Sequence, residues 1–345
     1  MKRRNNPPSS KNVFLGKYDS DFLITPYQKL FIGHSNNKNY RKLGSSGGVG
    51  GQLSSYILEN DIVDVVIGVG FSKKDPTLPV YKAITKPEDI HKISGSKYVY
   101  MELKPLLDLL PLYNDKKIAV FIQPCFVEAI RNYQRHKMPS IKYIFSFFCG
   151  YNKTYDGTEY LIKKTKVKKD EISSMEYRWG AYPGGFMVES KTGERVHFGK
   201  EFYELVDLMF LKDGCRVCPY YMGEGADIVL GDAWVKNMKN GTLVITRSNT
   251  GTNLISKVHS ENLIKLYFIK ESEIVRMHWH NLKFKKYGLS PFLNLLHFIL
   301  STKLAINLAP VKFFTLLSRF RRKFAIGISV DLQTVNKNDL VINPK

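Results

Sequence analysis

The residues with the strongest claim to chemistry are the four cysteines, Cys125, Cys149, Cys215 and Cys218, the whole cysteine complement of the chain. Cys215-Arg-Val-Cys218 has a two-residue gap, so two thiolates of one turn can reach one metal centre. Pro219 then keeps the turn from continuing as helix. Cys125 follows Pro124 and Cys149 precedes Gly150, each at the end of an apolar run where a loop could project a thiolate toward a shared point. Soft thiolate sulfur satisfies iron and shares its delocalised charge, which points to an iron–sulfur cluster. Structural zinc, a redox pair or small buried thiols remain as alternatives to any CxxC. Burial alone leaves the adjoining proline and glycine unexplained.

The elements that must position these residues alternate between strand and helix. Arg41 to Asn60 reads as a glycine–serine loop feeding a helix, with Leu53, Tyr56 and Ile57 on one face. Asp61 to Gly70 reads as a buried strand, and Pro87 opens a short helical turn over 86–94. Lys116 to Phe121 is a second strand, Val127 to His136 a helix, and Ile141 to Phe148 a third apolar run. Ala226 to Trp234 and Gly241 to Arg247 supply two more strands. This is an α/β pattern, with functional loops expected at strand ends. We expect a mixed α/β core with cysteine-bearing loops, over about 41–270. An insertion at about 151–212 carries a hairpin, Phe186 to Ser190 turning at Lys-Thr-Gly into Arg195 to Phe198. Residues 1–40 read as a polar lead-in with little periodicity, and 271–345 as a basic, aromatic, helical C-terminal extension.

Composition bounds the rest. The chain has 345 residues, 43% apolar and 24% charged, enough to bury a real core. Four cysteines in so long a chain do not make a disulfide scaffold, and clustered thiols in a reducing compartment are more often ligands or redox groups. No apolar run approaches the roughly eighteen residues of a spanning helix, and the basic start lacks a signal-peptide core. A cytoplasmic protein is expected. The net charge of +21 favours an acidic partner without selecting one. Six Lys or Arg and no acidic residue lie between Lys303 and Lys323. Residues 290–325 are therefore read as a helical pair, broken at Pro310, that could rest on an anionic membrane at its inner face, dock on the core or bind a partner.

Five segments together resemble the coenzyme F-420 hydrogenase/dehydrogenase beta-subunit family: SSGGVGGQLSSYILENDIVDVVIGV, GSKYVY, IAVFIQPCFVEAIR, FFCG and CRVCPYYMGEGADIVLGDAW. They span roughly residues 41–250. The resemblance implies one 4Fe–4S cluster on the four cysteines, a bound FAD, and electron transfer between them. The physical reading agrees. Ser45, Ser46, Gly47 and Gly48 precede a helix, so backbone N–H groups there could cradle a pyrophosphate, although a flexible linker has the same composition. Gly95, Ser96, Lys97 and Tyr98 supply a turn, a hydroxyl, a cation and an aromatic face. The resemblance places this segment near the flavin, with Lys97 and Tyr98 as the candidate catalytic pair. Arg178 could meet a phosphate beside Trp179, and Asp227 and Asp232 stand near the cysteine loop.

The family resemblance further implies a redox partner such as ferredoxin or a deazaflavin coenzyme. Relatives act on other acceptors, including tetrapyrroles, and many accompany surface-polysaccharide genes. Two departures stand out: no ferredoxin-type cysteines precede Cys125, which implies a separate electron donor, and the tail after 271 matches no family segment. The competing class is a basic nucleic-acid-binding or scaffolding protein with a structural metal. No nucleic-acid motif supports it, and the lysine run 163–169 is more economically a solvated face.

Overall fold

The computed structural model describes residues 7–200, 206–207, 209–238, 240–288, 329–330 and 332–340. In chain order the strands are β1 (Lys29–Ser35), β2 (Val65–Phe71), β3 (Pro79–Ile84), β4 (Ile118–Ile122), β5 (Ile141–Phe147) and β6 (Ile172–Trp179). They continue with β7 (Gly185–Ser190), β8 (Arg195–Gly199), β9 (Ile228–Ala233), β10 (Gly241–Thr246), β11 (Ile264–Phe268) and β12 (Gln333–Thr334). Nine form one mixed sheet in the order β12-β11-β1-β10-β9-β5-β4-β2-β3. Its centre, β2, β4, β5 and β9, is parallel, and the strands outside that centre pair antiparallel.

The unbroken apolar runs have a direct cause, because both faces of the central strands are covered. In β4, Ile118, Val120 and Ile122 join a core containing Ile67, Ile144, Val229 and Ile245. Ala119 and Phe121 face the opposite way, with Val66, Phe145, Leu230 and Val244. Helices Val127–His136 and Glu271–Tyr287 cover the first face through Ile130, Ile274, Val275 and Leu282. Helices Val49–Glu59 and Asn249–Ser260 cover the second through Leu53, Ile57, Leu254 and Ile255. Each such side chain contributes about 1.5–3 kcal/mol on full burial.

The inserted region is larger than a hairpin. β6, β7 and β8 form a separate antiparallel sheet, and helix Tyr155–Thr165 packs Leu161 and Ile162 against Met175, Tyr177, Phe186 and Val188. The lysine run 163–169 occupies the exit of that helix and the turn after it.

Two expectations about the chain ends need correction. The stretch read as lacking periodicity contains β1, which lies between β10 and β11 in the sheet. Its apolar core is only Leu30-Phe-Ile, too short for a period, and burial from both sides selects it instead. At the other end, the tail opens with helix Glu271–Tyr287, which packs into the main core instead of standing apart from it. The segment 290–325 assigned to membrane contact lies outside the described residues. Among the described residues no helix is long and apolar enough to cross a membrane.

Candidate functional site

The parallel strands β4 and β5 deliver Cys125 and Cys149 to one end of the sheet, as expected for open α/β sheets, and the segment before β9 brings Cys215 and Cys218 to the same end. Cys125 sits in the short turn Pro124–Phe126 directly after β4. Cys149 follows β5, where its N–H donates to the carbonyl of Tyr221 at 2.9 Å. Cys215 lies in helix Asp213–Val217 and Cys218 caps it. All four thiols are free of disulfides. The Cys125 thiol hydrogen-bonds to Cys218, and Cys149 and Cys215 are close enough to act on its ionisation.

Such crowding works against thiolates. Burial pushes the Cys149 thiol up to about 12 and raises Cys215 as well. Cys125 is raised, first by its hydrogen bond to Cys218, which in turn holds Cys218 low. Four crowded, mutually repelling sulfurs, of which Cys215 is buried and the others half-buried, become stable thiolates together only beside compensating positive charge, which a metal centre supplies. Donors already face them: Asn152 Nδ2 lies 3.7 Å from Cys149 Sγ, and the Asn152 backbone N–H favours the Cys215 thiolate. Among the described residues no three His, Cys, Asp or Glu side chains are gathered closely enough to hold a metal ion. By its chemistry, a set of four thiols is the donor set that an iron–sulfur cluster takes.

The second constellation is tied together by Arg178, at the end of β6. Its Nη2 donates to the Ser45 carbonyl at 2.7 Å. Its Nη1 donates to Tyr98 Oη at 3.0 Å and to Asp232 Oδ2 at 2.8 Å. Burial opposes the guanidinium charge, but Tyr98 and Asp232 outweigh it and raise the Arg178 pKa. Ser96 N–H donates to Ser45 Oγ at 2.7 Å, so the glycine–serine loop and the GSKY turn also bind each other. Asp232 lies opposite Thr242 in the β9–β10 pair, and Thr242 Oγ1 receives the Gly47 N–H and bonds Ser46 Oγ, both at 2.8 Å.

The glycines of the loop have packing reasons. A Cβ on Gly47 would stand 2.6 Å from the Gly33 carbonyl oxygen, and one on Gly48, at φ +77°, 2.4 Å from that of Tyr40. The Gly47 N–H is already engaged by Thr242, so it is not a free cradle for phosphate. What remains is the start of helix Val49–Glu59, which no side chain caps. Its first-turn N–H groups and its dipole suit an anion. Gly95, at φ +78°, turns the GSKY segment toward this loop. Lys97 Nζ donates to the carbonyls of Ser94 at 2.6 Å and Gly95 at 3.0 Å, and lies 5.7 Å from the Phe71 ring centre. The side chain keeps some contact with solvent, but protein atoms crowd its ammonium, and burial, helped by Lys82, pushes its pKa down to about 7. Burial also raises Tyr98.

A buried bridge joins the two constellations. His278 Nε2–H donates to the Asp232 carbonyl at 3.1 Å, while Nδ1 accepts from Tyr221 Oη at 2.8 Å. Asn281 Nδ2 donates to the same phenol at 3.1 Å. Burial pushes the His278 pKa down to about 4, so the ring is neutral and its tautomer is set by these partners.

The candidate ligands and the candidate cofactor-binding and catalytic residues therefore fall at one end of the sheet: Ser45 to Gly48, Gly95 to Tyr98 and Arg178 in one group, the four cysteines in the other. Asp227 belongs to neither. It pairs with Arg131 at 2.7 Å and accepts from Ser248 and the Ile144 N–H, a structural role. Residues that motif reading passed over are Asn152, Tyr221, Thr242, His278, Asn281 and Lys285. The apolar spacing of Ile274, Val275 and Leu282 could have marked the helix of His278, Asn281 and Lys285, but nothing in the sequence says that His278 and Lys285 turn inward.

Residues 30–108 match the N-terminal part, and residues 115–272 the C-terminal part, of the family described as "Coenzyme F420 hydrogenase/dehydrogenase, beta subunit". The chain is 25% identical over 239 residues to the coenzyme F420 hydrogenase subunit beta of Methanococcus voltae, covering 67% of this chain and 81% of that protein. It is 23% identical over 261 residues to the protein of the same name from Methanothermobacter thermautotrophicus, covering 72% and 87%. Its fold resembles a chain of the F420-reducing [NiFe] hydrogenase complex from Methanosarcina barkeri, with a TM-score of 0.58 at 20% identity over 90% of this chain and 97% of that one. Matched across both halves, with its four cysteines and its loop site delivered to one edge of a shared fold, the chain belongs to the coenzyme F420 hydrogenase/dehydrogenase beta-subunit family of oxidoreductases.

Proposed function

We propose that the chain is a flavin- and iron–sulfur-dependent oxidoreductase that passes electrons between a soluble substrate and an external carrier. The observation that carries this reading is Arg178, which draws the glycine–serine loop, the GSKY turn and Asp232 into one group at the edge that also bears the four cysteines. In this reading Cys125, Cys149, Cys215 and Cys218 hold one 4Fe–4S cluster. FAD would lie against the loop Ser45, Ser46, Gly47 and Gly48, which shapes the helix start that meets its phosphates, together with Gly95, Ser96, Lys97 and Arg178. When bound, these groups supply hydride or electron-pair exchange and single-electron relay.

The chain itself binds, orients and shields. The start of helix Val49–Glu59, which no side chain caps, would offer its first-turn N–H groups to an anionic group. Arg178 fixes the loops around it, and Thr242 fixes the loop from below. Lys97, with its pKa near 7, holds or releases a proton at Nζ under physiological conditions. Tyr98, its phenol kept protonated by burial, donates or accepts a hydrogen bond beside it. Asn152 donates to the cysteine sulfurs and steadies their charged form. The electron carrier is a ferredoxin-like protein or a deazaflavin coenzyme. Both are acidic, which suits a chain of net charge +21.

Anaerobic purification followed by iron, sulfide, zinc and flavin analysis tests the reading. About four iron and one FAD per chain are expected, with a visible spectrum that bleaches on reduction. Zinc without flavin, or a colourless protein after reconstitution with iron and sulfide, would refute it.

A further inference from the structure

Helix Glu271–Tyr287 begins where the family match ends, at residue 272, and opens the basic tail. A helix this rich in Lys, Arg and Glu would ordinarily turn its charges to water. Here Lys285 and Lys286 are instead buried, at 1% and 0% exposure. Burying an ammonium is costly unless anions lie close by. For Lys286 the anion is Glu224, at 2.7 Å. Lys285 points at the cysteines: its Nζ lies 3.5 Å from the Cys215 carbonyl oxygen. The same buried side chain lies within charge-interaction range of Cys149, Cys215 and Cys218.

We propose that Lys285 is a fixed positive charge that sets the reduction potential of the cysteine centre, so that the first helix of the tail is part of the redox machinery. The inference rests on the cluster reading above. Four thiolates make such a centre anionic, and accepting one electron adds one more negative charge. A buried cation beside it stabilises the reduced form more than the oxidised form, and solvent and salt screen it little. Net charge and burial are among the properties that set cluster potentials. Removing the ammonium should therefore make the centre harder to reduce.

The test uses the full-length chain purified without oxygen, as wild type, Lys285→Met, Lys285→Gln and Lys285→Arg. Iron and sulfide content are measured first, then the midpoint potential by redox titration followed in the visible and electron-paramagnetic spectra. Both neutral variants should lower the reduced-to-oxidised ratio at least tenfold at a given ambient potential, equivalent to 59 mV for one electron. Lys285→Arg should stay near wild type. Equal potentials in wild type and a neutral variant, with the cluster full in both, would overturn the proposal. If the neutral variants lose the cluster and Lys285→Arg keeps it, the charge requirement stands. If all three lose it alike, charge is not what matters and the proposal falls. A wild type without iron refutes the cluster reading instead, which keeps the two failures apart.

Discussion

Replacing Arg178 with methionine should cost the protein both stability and its loop site. The substitution keeps the volume and apolar stem but leaves Asp232, Tyr98 Oη and the Ser45 carbonyl without donors that now stand at 2.8, 3.0 and 2.7 Å. Breaking a buried ion pair costs about 3–5 kcal/mol, because the surviving charge stays desolvated. The Arg178 side chain is 5% exposed, but that of Asp232 is 21% exposed, so water can partly recover the carboxylate. The lower end, about 3 kcal/mol, is the better figure, still a large fraction of a typical stability of about 5–15 kcal/mol. Urea denaturation of wild type, R178M, D232N and the double variant measures it, provided the slopes agree. The cycle should give a coupling of about 2 kcal/mol, within the usual range for contacting charged partners. R178M should also purify with less flavin than wild type. A coupling below about 0.5 kcal/mol would refute the argument that this pair organises the site.

Cys215→Ser combined with Cys218→Ser should abolish bound iron while leaving the far-ultraviolet circular dichroism unchanged, since neither thiol is needed by the two main cores. The neutral, buried His278 predicts an acid-side loss of stability. Its folded pKa, near 4, lies below the unfolded value of about 6.5. Its contribution is complete above about pH 6.5 and declines as pH falls toward 4, by up to about 3 kcal/mol. The difference between wild type and His278→Phe across that window isolates it, and a pH-independent difference would contradict it. Gly48→Ala should destabilise by at least about 1–2 kcal/mol, the cost of a left-handed backbone for a residue with a side chain. The clash with the Tyr40 carbonyl adds to that cost, and a thermal melt unchanged from wild type would count against the loop geometry.

Several parts of this protein are legible in its sequence. The runs of β2 and β4, covered on both faces, had to be largely apolar, β5 admits a lysine only where Lys142 is exposed, and the helix Val127–His136 follows from its own spacing. The four cysteines stand out as one group by the CxxC gap and by two thiols at the ends of β4 and β5, and the fold brings them close to one another. Local signals were weakest where burial, not pattern, makes the element. β1 carries only three consecutive apolar residues, and it is a strand because β10 and β11 supply hydrogen bonds on both sides.

What the sequence by itself determined was which residues could carry the chemistry: the soft ligands, the glycines that permit a close turn, and the strand ends that present them. Only the tertiary structure decided how these groups are held and charged. Arg178, from the insertion, reaches across 133 residues to Ser45 and 54 to Asp232, a separation that no local pattern encodes. Lys285 and His278 look like surface residues of a basic tail, yet packing turns them inward against the cysteines and Asp232. The physical reason is that an ammonium or imidazole is read as exposed by its type, whereas its burial depends on which anions and carbonyls the rest of the chain has already placed there.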